Sequence, residues 1–384
     1  MKVHQVWIAV AVGSMANAAA VGVAQAAESQ GKTPAGSSTH HLSLQGGEAT
    51  EDLPNEHSTK PFSLLGVSWD NPDTELPGTV EVRTRDARTG SWSSWFHLEG
   101  HGHGGDEGTT AARGSSDPVW VGPSNGVQLR TTHEGKAAAK LPAGARLDLV
   151  DPGADSGSVS AEPGAGEGQP PIVSRAGWGA DETLLPPGAE PGDPSNDPEY
   201  NAEVKAIFVH HTAGTNDYSC DESPAIIRAI HRYHVVTNGW KDVGYNFMVD
   251  KCGTIFEGRK GGTDKPVLGA HTYGFNRESS GIGVLGNHAA LPASQEALAS
   301  VAAVSAWKLG QYGGDPAGTA ELTTTVTQEN YFGKQYTVGN SYTFERISSH
   351  RDGVNVDCAG DKLYEQLPAI RQLASELGSV KRAV

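Results

Sequence analysis

The chain has 384 residues, with 45 acidic against 29 basic side chains and a formal net charge of −16 at pH 7. That acidity argues against nucleic acid or an anionic membrane surface as partner, and the sequence holds neither a basic patch interleaved with aromatics nor a glycine-rich phosphate loop. The length allows two domains, and 49 glycines and 22 prolines mark a loop-rich protein.

Lys2 and His4 precede an apolar stretch, Val6 to Val23, that runs into Ala24-Gln25-Ala26. A cationic start, an apolar core and an A-x-A end predict a secretory signal over residues 1–26, cut after Ala26. An N-terminal membrane anchor is the alternative, but the run is rich in Ala and Gly and weakly hydrophobic for a span. Export places Cys220, Cys252 and Cys358 in an oxidising compartment, where an odd count leaves one thiol over. A disulfide between Cys220 and Cys252 would account for two and leave Cys358 as a metal-held thiolate. The count alone does not fix that pairing.

Residues 27–58 are polar, aperiodic and rich in Gly, Ser, Thr and His, and read as a flexible leader. Residues 59–150 read as a small all-β, sandwich-like module. Its strand candidates are Phe62–Trp69, Thr79–Arg85, Trp92–Leu98, Val119–Val121, Val127–Arg130 and Ala145–Val150, several alternating in period two. The run His97 to Asp106, with His101 and His103, invites a metal reading, but so much glycine favours a solvated loop. Residues 151–170 form a Gly/Pro/acidic linker.

Residues 171–384 alternate strands with helices and predict an α/β domain with a mixed central sheet flanked by helices. Val204 to Val209 reads as a buried strand ending in His210-His211-Thr212. Ser223-Pro224 offers an N-cap and a proline at the first helical position. Ile226, Ile227, Ile230, Tyr233 and His234 then share one helical face until Asn238-Gly239 stops it. Gly244–Val249 and Thr254–Glu257 read as a hairpin, and Ile282–Leu285 as a buried strand. Tyr342–Ile347 reads as another strand. Ser294–Leu309 and Asp361–Leu377 are amphipathic helices, the last carrying Pro368.

His350 and Cys358 stand eight positions apart in a glycine-containing loop. With a histidine from the end of the Val204 strand they make a three-ligand zinc set, which leaves one coordination position open, as catalytic zinc sites do.

The second domain resembles the amidase-type peptidoglycan recognition protein family, whose members share a fold with zinc amidases of phage-lysozyme type. The resemblance spans roughly residues 171–370. It is carried by Arg175-Ala-Gly-Trp-Gly-Ala180, Phe208-Val-His-His-Thr212, Arg232-Tyr-His234, Gly239-Trp240, Asp242-Val-Gly-Tyr-Asn-Phe247, Phe256-Glu-Gly-Arg259, Gly269-Ala-His-Thr272 and Ser349-His-Arg-Asp352. Residue by residue, it implies zinc at His210, His350 and Cys358, with His211 a packed neighbour. It implies Tyr245 as the active-site tyrosine, and His234, Gly239, Trp240, Arg259, His271 and Asn276 as cleft residues. In relatives the Gly-Trp pair goes with diaminopimelate-type stem peptides, whose extra carboxylate the arginine pairs; a guanidinium fork suits that partner.

The resemblance implies a secreted zinc N-acetylmuramoyl-L-alanine amidase acting on peptidoglycan or muropeptides, or alternatively a peptidoglycan-binding protein with little turnover. Active members commonly carry Thr or Lys two residues before the cysteine ligand, and here that position is Val356. Cys358-Ala-Gly360 also replaces the usual Cys-Pro-Gly.

Overall fold

The computed structural model describes residues 36–44, 58–76, 78–101, 105–106, 113–133, 136–137, 141–154, 159–164 and 166–382. The predicted signal, residues 1–26, lies outside them. The N-terminal strands are β1 (Ser38–Ser43), β2 (Phe62–Trp69), β3 (Thr79–Asp86), β4 (Phe96–Leu98), β5 (Gly100–His101), β6 (Gly114–Ser116), β7 (Val119–His133), β8 (Lys136–Ala137) and β9 (Arg146–Asp151). They join in one branched antiparallel sheet whose main path is β1-β9-β2-β7-β3-β4, with β6 bridging β2 and β5 and β8 pairing β7.

Alternation explains the two faces of β2. Leu65, Val67 and Trp69 point into the module's own core, beside Val80, Val82, Val119, Leu129 and Leu147. Leu64 points the other way and joins Trp120 and Val150 in a cluster with residues of the second domain. The flexible-leader reading of residues 27–58 needs a correction. Ser38–Ser43 pairs along its length with β9, from Ser38 opposite Asp151 to Ser43 opposite Arg146. Leu42 and Leu44, two positions apart, reach the core, so two apolar side chains and an edge to pair with suffice for a strand.

The second domain contains α1 (Arg175–Trp178), β10 (Ala206–His211), α2 (Ser223–Arg232), β11 (Phe247–Val249), β12 (Ile255–Glu257), β13 (Ser279–Val284) and α3 (Gln295–Gly310). There follow β14 (Thr319–Thr323), β15 (Gln328–Glu329), β16 (Gln335–Tyr336), β17 (Ser341–Glu345), β18 (Ile347–Ser349), α4 (His350–Gly353) and α5 (Asp361–Arg382). Its sheet runs β12-β11-β13-β10-β18, antiparallel at β11–β12 and parallel elsewhere. This is the expected α/β architecture. The predicted strand over Tyr342–Ile347 divides: β17 pairs with β14 in a separate hairpin, while β18 joins the central sheet.

α3 and α5 cover one sheet face, where Val301, Leu309, Leu363 and Ile370 pack with Val209, Ile282 and Ile347. α2 covers the other, with Ile226, Ile227 and Ile230 beside Met248 and Phe256. Each fully buried aliphatic side chain stabilises the fold by about 1.5–3 kcal/mol. The Cys220–Cys252 disulfide ties the start of α2 to the β11–β12 turn, with a Cα–Cα distance of 6.3 Å.

Candidate metal centre

All six residues of β10 are buried, as expected for the centre of a parallel sheet. The strand delivers His210 at its C-terminal end, where open α/β sheets gather their ligand sites. The adjacent parallel strand β18 stops at Ser349, so His350 emerges beside it as the first residue of α4. The Ser349 N–H donates to Asp352 Oδ2 at 2.8 Å and fixes that turn. The following loop is folded back: Arg351 N–H donates to the Cys358 carbonyl at 2.9 Å and Ala359 N–H to Ser349 Oγ at 3.1 Å. The Arg351 guanidinium holds the Asp357 carbonyl and reaches Asp361 at 2.8 Å.

These elements bring one donor atom from each of His210, His350 and Cys358 within 4.8 Å of one another. The residues are 1 %, 8 % and 2 % exposed. His210 Nδ1 stands 3.7 Å from Cys358 Sγ, and the two imidazoles are 4.6 Å apart between ring centres. His210 Nε2 faces His271 Nδ1 at 3.3 Å, and Thr272 Oγ1 stands 3.0 Å from the same His271 nitrogen. This contact orients the His210 ring as outer partners orient metal-ligating histidines. The His211 N–H donates to Cys358 Sγ at 3.4 Å, while the His211 ring turns aside and accepts the His288 N–H at 3.1 Å. Burial pushes the Cys358 thiol well above its usual range, so a thiolate needs a cation beside it. Two imidazoles and a sulfur, dry and convergent, fit zinc.

The Tyr245 ring lies 5.2 Å from that of His210 and rests on β13, where a Cβ at Gly283 would stand 3.0 Å from it. Burial raises the phenol well above its ordinary pKa, so it stays protonated. After α2 the chain makes a π-helical turn, Tyr233–Thr237, a feature common at functional sites. That turn carries His234, buried, with its pKa lowered to about 3 by desolvation. Its Nδ1 accepts the Gly244 N–H at 3.0 Å, and its ring is 4.5 Å from Trp240. Gly239, at φ 76°, turns the chain into Trp240. Asn276 braces the next loop, its Oδ1 accepting the N–H groups of His271 and Thr272 at 2.8 Å.

Sequence reasoning missed the part played by the N-terminal sheet. Asp106, placed at the end of a supposed solvated loop, is buried against the second domain. It pairs with Arg259, and its Oδ2 accepts the Lys241 N–H at 2.7 Å. Asp117 and Pro118 line a small void with Thr212, His234 and Tyr245. On the far side of the cysteine loop a cavity of about 570 Å³ opens between Leu76, His97 and Glu99 of the N-terminal module and Tyr273, Tyr331 and Val354–Asp357. Val356 is buried there, without a hydroxyl or ammonium to offer.

Residues 200–356 match the family described as N-acetylmuramoyl-L-alanine amidase, a span that includes His210 and His350 and stops short of Cys358. Over those residues the chain is a member of this amidase family. Residues 18–152 match a second family, Rv3811 N-terminal galactose-binding domain-like. Human peptidoglycan recognition protein 3 is 32 % identical over 136 residues, 34 % of this chain and 35 % of that protein. Human N-acetylmuramoyl-L-alanine amidase is 28 % identical over 163 residues, 42 % of this chain and 23 % of that one. The chain therefore spans about a third or less of the length of these relatives. A wild-type Drosophila PGRP-LB structure aligns with 52 % of this chain and 92 % of its own, at 22 % identity and TM-score 0.38.

Proposed function

We propose that this protein is a secreted zinc amidase that hydrolyses the amide between the lactyl group of N-acetylmuramic acid and the first L-alanine of peptidoglycan stem peptides. The observation that carries this reading is the convergence of His210, His350 and Cys358 at the strand ends beneath the Tyr245 ring. The three side chains would hold zinc, which supplies Lewis acidity toward a carbonyl and lowers the pKa of water to about 7. The remaining work belongs to the chain. Tyr245, held protonated by its burial, would donate a hydrogen bond to an oxygen gaining negative charge. His271 orients His210. Burial keeps His234 neutral at pH 7, so it adds no positive charge to the cleft. Water adds across the amide; the carbon–nitrogen bond breaks, leaving the muramyl carboxylate and the free amine of alanine. The predicted signal and the disulfide support export. No helix among the described residues is long and apolar enough to cross a membrane.

A second reading, a peptidoglycan-binding protein with little turnover, is favoured by Val356. A donor missing from an oxyanion site lowers rate by on the order of 10²-fold. Diaminopimelate-type muropeptide is incubated with the protein before and after chelation and zinc restoration, and products are followed by mass. Zinc-dependent release of free peptide and sugar supports the amidase. Intact muropeptide that stays bound supports the second reading. Cleavage that persists without zinc, or in C358S, sinks the metal assignment.

A further inference from the structure

Gly105 and Asp106 belong by sequence to the N-terminal β module, yet they pair with residues of the second domain. Asp106 Oδ1 pairs with Arg259 Nη2, and its Oδ2 accepts the Lys241 N–H at 2.7 Å. The neighbouring Gly105 carbonyl accepts from Asn276 Nδ2 at 3.4 Å. Gly105 has φ 137° and lies so close to Trp240 that a Cβ there would stand 2.7 Å from the indole nitrogen. Arg259 and Asp106 are 6 % and 8 % exposed. Four of the six residues assigned to the cleft thus meet this segment or flank it: Arg259, Trp240 and Asn276 touch it, and the His234 ring lies tilted against Trp240. A glycine at positive φ is what lets the backbone approach an indole so closely.

A buried guanidinium that donates to a carboxylate in this orientation can donate to others of the same geometry. We propose that Asp106 is a built-in competitor of the substrate: it occupies the carboxylate position at Arg259 and the Lys241 N–H, so a stem peptide enters only by displacing the Gly105–Asp106 segment. This deepens the amidase reading and rests on it. Once the segment is displaced, Arg259 decides between stems. A stem peptide with a carboxylate at the matching position replaces one ion pair by another. A stem with an uncharged or cationic group there leaves Arg259 buried and unpaired, which is costly. Arg259 therefore sets the discrimination between stems, while Asp106 weakens binding of all of them by one common factor, because apparent affinity falls with the fraction of molecules in which the segment has withdrawn.

The test uses the full zinc-loaded chain and two muropeptides that differ only in the third residue of the stem, diaminopimelate or lysine. Binding is measured by calorimetry to the wild type, D106N, D106A and the double variant D106A/R259A. D106N keeps the shape of the segment and removes its charge, which covers the case of a misfolded D106A. Both single variants are expected to bind the diaminopimelate ligand about 10- to 100-fold more tightly than wild type, the range expected if the open state is populated at a few per cent. That gain should vanish in the double variant. In the wild type, adding the diaminopimelate ligand should speed hydrogen exchange of the peptide that contains Gly105 and Asp106. Equal affinity across wild type, D106N and D106A, or slowed exchange at that segment, overturns the competitor and leaves the amidase reading in place. Failure of all four proteins to bind either muropeptide sinks the peptidoglycan reading and the competitor together.

Discussion

In the proposed reaction Tyr245 and His271 would divide the work around His210, one toward the reacting groups and one toward His210 itself. Tyr245 touches the His210 ring and keeps its proton. Y245F should retain zinc in full by metal analysis and lose on the order of 10²-fold in kcat, the scale of one oxyanion donor. His271 acts from behind, its Nδ1 3.3 Å from His210 Nε2. H271A should weaken zinc binding about 10- to 100-fold, as loss of an outer partner does, and chelator competition would show it. His234 contributes a pH dependence of another origin. Burial lowers its pKa in the folded state from 6.5 to about 3, against the pull of Asp117. As pH falls below 6.5 the unfolded chain takes up a proton that the folded chain refuses. The stability this group supplies is complete above pH 6.5 and falls by up to about 1.4 kcal/mol per unit as pH drops toward 3. H234N, whose amide oxygen can still accept the Gly244 N–H, should show a shallower loss between pH 7 and pH 5 in denaturant unfolding. An unchanged slope would remove His234 as the source.

The strand β13 illustrates how an element makes room for a site. Its sequence Ser-Ser-Gly-Ile-Gly-Val puts Gly281 and Gly283 on one face and Ile282 on the other. Ile282 enters the core beneath α3, while the two glycines leave space for the rings of His271 and Tyr245. A methyl group at Gly281 would overlap the His271 ring. G281A should therefore weaken zinc binding about tenfold by shifting that ring, and cost about 1–3 kcal/mol through overpacking. Zinc affinity unchanged from wild type would show that His271 does not position His210. Much at this scale was legible beforehand. The apolar run before His210, the Ser-Pro start of α2 with its isoleucine face, and the alternation of β2 and β3 each announce an element through a local period. Other elements lacked such a mark. Gly122-Pro-Ser-Asn-Gly126 reads as a turn between two short strands, yet β7 passes through it, with Gly122 at φ 76° and shifts of register in the pairings on either side. The hairpin of β14 and β17 buries only every second residue of β14 and little of β17, too weak a pattern to separate from loop. The convergence of His210, His350 and Cys358 was legible because strand end and loop motif are each short in sequence. The pairing of Asp106 with Arg259 was not, because it joins residues 153 positions apart and neither neighbourhood carries a trace of the other.

At the scale of the molecule, the two sheets share a core. Leu64, Trp120 and Val150 of the N-terminal module pack in one cluster with Ile226, Ile227, Ile230 and Tyr233 from α2 and the turn after it. Polar contacts reinforce this face. Tyr233 donates to the Ser116 carbonyl at 3.2 Å, the Thr215 N–H to the Trp120 carbonyl at 2.8 Å, and Arg232 Nε to Thr39 Oγ1 at 3.0 Å. A module joined to the second domain only by its linker would need no such cluster, since a linker alone raises effective concentration. Here the module completes the hydrophobic cover of α2, the helix that leads into His234 and the cleft. Removing residues 27–160 would uncover that apolar face, and each large side chain it leaves exposed forfeits about 1.5–3 kcal/mol of burial. The shortened chain should lose cooperative unfolding or melt well below the full protein, and it should associate through the bared α2 face in sedimentation. L64D in the full chain, which puts a charge into the same cluster, should weaken the molecule in the same direction without deleting anything. A shortened chain that stays monomeric and melts where the full protein does would show that the second domain folds independently of the module. In that event the shared cluster would be a docking surface between two finished domains, and withdrawal of Asp106 would cost the second domain nothing in its own stability.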